Sequence, residues 1–411
     1  MQPVGLHPAV VSQMTLKEGS RGLFGFSGDV PIWRDERAIR AVAQLISAAL
    51  LIGAVIWLVT NFVQAAEQRG LPLGYDFLSQ ESGFPLGESV IEYNPSRPFL
   101  YAFLVGLLNT LKVSILGIIF ATILGTLIGL ARMSSNWLLS RLSLAYIEFF
   151  RNTPLLVLLF IWYFAVFNRF PRVRDSFSLP GPIYLNQRGL FVPWPKYTTE
   201  GLLFLAAILL GIVTAAAAWI WLRRVREQTG RQTYFWPISL FLLLLFPAMA
   251  WISQSGQTIT WDIPILEGFN FQGGTTLTPE FAALLVGLVT YTAAFIAEVV
   301  RSGIQAVDRG QKEAARAIGL SSTQVLSLVI IPQALRVMIP PMISQFLNLT
   351  KNSSLALAIG YPDVFAVGRV MINQAGRAVP VFSMVMLTYL AISLFVSFIL
   401  NWYNRRIQYE T

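Results

Sequence analysis

Lys112, Arg151, Glu298 and Lys351 interrupt otherwise apolar runs of this 411-residue chain. A charge at membrane depth costs about 3 kcal/mol or more unless it finds a partner or water, so each is a candidate for a functional role. Lys112 has no acid in its own run, whereas Arg151 lies about a turn from Glu148 near a run's end, where pairing or snorkelling is available. Glu298 and Arg301 are three apart and spaced to pair with each other. Lys351 is followed by Asn352, Ser353 and Ser354. A cation beside two hydroxyls suits a solute that bears a carboxylate. Equally, Lys351 could reach the external interface or another subunit.

Other chemistries lack their parts. There is no cysteine, so no disulfide, thiolate metal site or cysteine nucleophile, and the one histidine, His7, lies in the N-terminal arm. No histidine triad or metal cluster can be assembled, and no metal site is expected. All seven aspartates fall in loops or tails, and no G-x-x-x-x-G-K-[ST] stretch occurs to cradle ATP phosphates.

The elements that must position these groups follow from composition. The chain is 55% hydrophobic and 12% charged, against about 25% charged in a soluble domain. The net charge of +9 comes mostly from basic residues that flank apolar runs, which excludes a nucleic-acid reading. The expected fold is all-α: a polytopic membrane bundle of about eight helices, since these runs have helix length and lipid leaves backbone polar groups no other partner. The runs cover residues 41–63, 99–131, 147–168, 201–222, 236–252, 281–300, 337–359 and 381–403. Within 337–359, Pro340 and Pro341 deny helix hydrogen bonds and the polar stretch from Lys351 interrupts the apolar pattern, so a broken helix is expected there. With both termini cytoplasmic, the inside segments hold 18 Lys and Arg against nine outside, as the positive-inside bias requires. The external stretch 169–199 reads as an irregular loop and 253–278 as a loop without Lys or Arg, with Trp194 and Trp261 as aromatic surface.

Between the sixth and seventh runs lies EAARAIGLSSTQVLSLVIIP, Glu313 to Pro332. Good helix formers from Glu313 to Ile318 precede Gly319, where a helix would stop. Ser321 and Gln324 have capping-box spacing for a second helix running towards Pro332. Ala314, Ala315 and Ile318 would then offer a small apolar face to a groove in another protein.

That stretch resembles the EAA loop of bacterial ABC importer membrane subunits, with Glu313, Ala314, Ala315, Gly319 and Pro332 in register and Val329 and Ile331 in place of the usual Ile and Leu. Arg151, Thr153 and Pro154, and the segment around Lys351, Asn352, Ser353 and Ser354, are similar to stretches of its amino-acid members. The resemblance implies a permease subunit that moves L-amino acids across the bacterial inner membrane. It implies an ATPase dimer docked on the EAA loop, with ATP-Mg bound there and no cofactor of the permease's own. It further implies a second permease, making a heterodimer, and a periplasmic amino-acid-binding protein. Residues 1–98 would be arm, anchor helix and external loop. Residues 99–406 would be the transport domain, its core at 99–170 and 280–406 and an insertion at 171–279 with two extra helices. The rival class is an ion-coupled secondary transporter of a small polar solute, which would have no use for an EAA loop.

Overall fold

The computed structural model describes residues 36–195, 199–230, 232–253 and 260–409. The N-terminal arm with His7 lies outside the described residues, as do the side chains of Arg405 and Arg406. Contacts divide the chain into two units, Met1–Leu73 and Gly74–Thr411. In the first unit, α1 (Glu36–Gln68) is 33 residues long, about 50 Å and ample to cross a bilayer. It outruns the 41–63 expectation at both ends, and beyond Gln68 the chain turns at Gly70, whose φ is +63°.

The second unit starts with a short loop held by a bridge between Glu81 and Pro98, then α2 (Phe99–Arg132). Small residues face the neighbours of α2. A Cβ at Gly106 would lie 3.0 Å from the Val364 backbone, and one at Gly125 would lie 2.7 Å from Ile296 and 2.8 Å from the Ala293 carbonyl. Gly129 has the same relation to the Ala297 carbonyl, at 2.7 Å. Membrane helices lack a hydrophobic force between them, so such close approach is what supplies packing energy.

The third expected span is not one helix. α3 (Trp137–Asn152) begins at an Asn136 cap whose side chain accepts from the Leu138 and Leu139 amides, and α4 (Leu155–Phe160) continues as π and 3-10 turns to Arg169. The two are bent by 105°. Thr153 adopts extended backbone at ψ 125° and Pro154 has no amide to offer, so the helix cannot pass through them.

The stretch 169–199, expected to be irregular, and the external loop 253–278 carry short strands among their described residues. β1 (Phe177–Leu179), β2 (Ile183–Asn186), β3 (Gly189–Val192) and β4 (Trp194–Pro195) precede the helices α5 (Thr199–Thr229) and α6 (Phe235–Ser253). β5 (Trp261–Asp262), β6 (Ile265–Glu267), β7 (Asn270–Gln272) and β8 (Thr275–Leu277) follow them. The order β1-β2-β3-β8 joins the two loops into one antiparallel sheet, while β4 pairs with β5 and β6 with β7. Their core is Val173, Phe191 and Phe271, with Tyr184 stacked on Phe271 at 4.4 Å. The alternation in these strands is three or four residues long, too short to stand out from a Gly- and Pro-rich loop.

α7 (Pro279–Gln305) is the most buried spanning helix, opened by Thr278, whose side chain accepts from the Phe281 amide, with Pro279 next. α8 (Arg309–Ala317) follows, then α9 (Ser322–Gln324), a π turn (Val325–Ile330) and α10 (Ile331–Asn352). The helix from Ser322 does not end towards Pro332, nor do Pro340 and Pro341 break it. It runs to Asn352 and tightens into a 3-10 stretch, Ser353–Ile359, before Gly360 turns the chain at φ +85°. The π turn ahead of Pro332 absorbs the hydrogen bond that proline cannot make. α11 (Val364–Ala375), outside every expected run, packs on α2, and α12 (Ala378–Tyr409) closes the fold. Among the described residues seven helices can span a membrane, and the bent α3–α4 pair is an eighth if counted as one.

Candidate functional site

α8 is a short helix with two defined ends. Asp308 caps its start by accepting from the Gly310 amide at 2.5 Å. At its end Gly319 takes φ +87°, its amide donates to Arg316 O at 2.9 Å, and the Leu320 amide donates to Ala315 O at 3.2 Å. This pair of bonds is the Schellman stop that a glycine makes possible. Ser321 and Gln324 form their capping box. The helix begins at Arg309, four residues before Glu313, because Asp308 caps it there.

The face it offers differs from the expected one. Ala315 is 5% exposed and turned into the protein, on the side where α8 meets the π turn. Glu313, Ala314 and Arg316 are exposed, and Ile318 is 78% exposed. The available surface is therefore Glu313, Ala314 and Ile318, without Ala315. Pro332 is also exposed, at the start of α10.

Glu298 pairs both within its own helix and across to α3. Glu298 on α7 accepts from Arg301 Nε at 2.5 Å and meets Arg151 Nη1 of α3 at 3.8 Å. Arg151 also lies 5.5 Å from the centre of the Phe295 ring. Glu148, expected to meet Arg151, instead accepts from Asn152 Nδ2 at 3.1 Å. The carboxylate that answers Arg151 stands on another helix, which spacing within one run does not reveal. Thr153 Oγ1 donates to Phe149 O at 2.7 Å.

On α10, Lys351 is exposed and has no ion-pair partner among the described residues. Asn352 is half-buried. Ser353 is buried and donates to Thr350 O at 2.8 Å, while Ser354 donates to Lys351 O at 2.8 Å. Both hydroxyl protons are thus committed to their own turn. Ser344 and Asn348 are exposed on the same side of α10 as Lys351, seven and three residues before it. Their i, i+4, i+7 spacing is a polar stripe visible in the sequence itself.

Lys112 has a partner that sequence reasoning missed. Glu88, from the loop before α2, meets Lys112 Nζ at 2.6 Å with its side chain 8% exposed, and also accepts from the Thr278 hydroxyl. The Lys112 ammonium lies 4.2 Å from the centre of the Phe281 ring. Asn109 Nδ2 donates to Glu88 O at 3.0 Å and Pro362 O at 2.9 Å, and Tyr361 OH donates to Asn109 O at 3.1 Å. This knot ties the loop, α2, the start of α7 and the turn before α11. In that turn Asp363 accepts from the Ala366 amide and from Tyr389 OH, both at 2.8 Å. Burial outweighs those hydrogen bonds and pushes its carboxyl up to about 6. Among the described residues no group of three metal-binding side chains occurs.

Residues 233–409 match the model of binding-protein-dependent transport system inner membrane components. YhdX of Escherichia coli K12, which carries the name of an amino-acid ABC transporter permease, is 45% identical over 89% of this chain and 93% of its own. AapQ of Rhizobium johnstonii, a general L-amino acid transport system permease protein, is 40% identical over 88% of this chain and 90% of its own. BztB of Rhodobacter capsulatus, a glutamate/glutamine/aspartate/asparagine transport system permease protein, is 38% identical over 91% and 95%. Likeness of that extent takes in the loops and inserted helices as well as the core, and so the chain belongs to the amino-acid ABC transporter permeases, inner-membrane components of binding-protein-dependent transport systems.

Proposed function

We propose that this chain is the permease subunit of an ATP-driven importer of L-amino acids in the bacterial inner membrane, coupled to a cytoplasmic ATPase dimer through α8. The observation that carries the coupling is α8 itself. It is a capped helix stopped by Gly319 that displays Glu313, Ala314 and Ile318 between two spanning helices. A helix with fixed ends transmits a push to α7 and α10, and an exposed face of this kind suits a groove in a partner. ATP-Mg is bound by the ATPase, since this chain has no phosphate loop. A second, different permease completes the pathway, and a periplasmic amino-acid-binding protein delivers the solute to the far face. Both termini then lie in the cytoplasm.

Along the pathway Lys351 meets the substrate carboxylate, with Ser344 and Asn348 on the same face of α10 and Asn352, Ser353 and Ser354 in the turn beside it. Arg151, Thr153 and Glu298 form a second polar group, in which Glu298 is shared between Arg151 and Arg301. The test is purification from native membranes in mild detergent, with mass identification of the co-purifying chains and an ATPase assay. Recovery of an ATPase and a second permease, with hydrolysis stimulated by a binding protein carrying an amino acid, supports the reading. Recovery of this chain alone, with uptake that survives ATP depletion, contradicts it.

A further inference from the structure

The hairpin of α5 and α6 carries groups that the transport reading does not use. Each helix packs chiefly on the other. Large apolar side chains are exposed along both, among them Leu209 and Val213 on α5 and Phe241 and Leu244 on α6. On helices of spanning length, lipid chains cover such a surface.

The tip is of the opposite character. Arg223, Arg224 and Arg226 close α5, while Tyr234, Phe235 and Trp236 open α6. Arg223 is engaged by Glu227 at 2.9 Å. Arg226 lies 5.7 Å from the centre of the Phe235 ring, and neither it nor Arg224 has a carboxylate partner among the described residues. Arg226, Thr233, Tyr234 and Trp236 line a cleft of about 220 Å³. Tyr234 and Trp236 are each 69% exposed.

A guanidinium fork matches phosphate oxygens, Tyr and Trp settle at headgroup level, and basic residues beside a spanning helix attract anionic lipid. We propose that this tip is a binding site for the phosphate of an anionic phospholipid, with Arg226 as the cationic group of its cleft and the acyl chains lying along α5 and α6. The cleft has room for a headgroup and not for a whole lipid, and the apolar flanks beside it take the rest. The tip also lies on the α8 side of the membrane. β4 and β5 pair at the opposite end of the hairpin, and β8 leads into the start of α7, whose other end leads to α8. The site does not depend on what α8 docks with.

The test is native mass spectrometry of the delipidated, purified complex titrated with phosphatidylglycerol, with phosphatidylcholine and with inorganic phosphate alone. The wild type retains phosphatidylglycerol and not phosphatidylcholine. Arg226→Gln weakens retention about fivefold, and Trp236→Ala weakens it further, while Arg188→Gln in the strand region changes nothing. The proposal is overturned if Arg226→Gln retains the lipid as the wild type does, or if Arg188→Gln weakens retention equally. Complete displacement of the lipid by millimolar inorganic phosphate would also overturn it, reducing the cleft to a free-anion site.

Discussion

Two helix pairs in this molecule lie side by side for most of their length and are built differently. Along α7, 56% of the most apolar stretch is buried within the chain and along α2 33%, whereas the corresponding figures for α5 and α6 are 11% and none. Lipid is as apolar as leucine, so burial alone does not favour helix contact in a membrane. α2 solves this with glycines wherever a neighbour's backbone crosses, at Gly106, Gly125 and Gly129. The hairpin has Gly211, where a Cβ would lie 3.1 Å from Leu243 O, and otherwise bulky side chains facing outward. The first pair is machinery that must hold its geometry. The second is an appendage that lipid can surround.

That contrast is testable by substitution. Gly125→Leu drives a side chain into Ile296 and the Ala293 carbonyl, and the expected loss is about 3 kcal/mol or more, read as a collapse of the thermal midpoint in detergent. If Gly125→Leu folds normally, the close contact of α2 with α7 is not what holds the core. Lys112→Met leaves Glu88 buried and unpaired, with an expected loss of about 3 kcal/mol. Adding Glu88→Gln should restore most of it, and failure of the double variant to recover would mean that the Phe281 contact matters more than the charge pair.

Asp363 gives a pH signature to the core alone. Its folded value is raised above the ordinary 3.8 to about 6. The protonated form is therefore favoured in the folded state, so this contribution is full below about pH 4 and is lost as pH rises through about 6. Thermal midpoints should fall over that window in the wild type and much less in Asp363→Asn, which keeps a side-chain oxygen for the Ala366 amide. Equal pH dependence in both would remove Asp363 from the explanation. In the hairpin, Leu209→Ala on the exposed side of α5 should shift stability by about 0.5 kcal/mol or less. A larger shift would mean that a protein neighbour covers that face.

The sequence made the membrane runs and the α8 stop legible because each rests on local signals. Length and absence of charge mark a span, while Gly319 and the pairing of Ser321 with Gln324 mark helix ends within a few residues. Pro154 is also local, but a proline inside a run of spanning length either kinks a helix or ends it, and the residue alone does not say which. Pro340 and Pro341 misled in the opposite direction, since their missing bonds are tolerated in a helix that α7 and α12 support. What remained invisible was long-range. Glu88 meets Lys112 across 24 residues, and Glu298 answers Arg151 from another helix. β3 pairs with β8 across two intervening helices.

The absence of cysteine from this chain allows a direct measurement of the coupling role of α8. Ile318→Cys introduces a single thiol on the exposed face of that helix, and a short heterobifunctional cross-linker, thiol-reactive at one end and photoreactive at the other, can be applied to the assembled complex in native membranes. The expected result is a covalent adduct with an ATPase subunit whose yield changes when ATP is bound, and no such adduct from Trp261→Cys in the strand region. An ATPase adduct from Trp261→Cys and none from Ile318→Cys would place the ATPase at the other face and contradict the account.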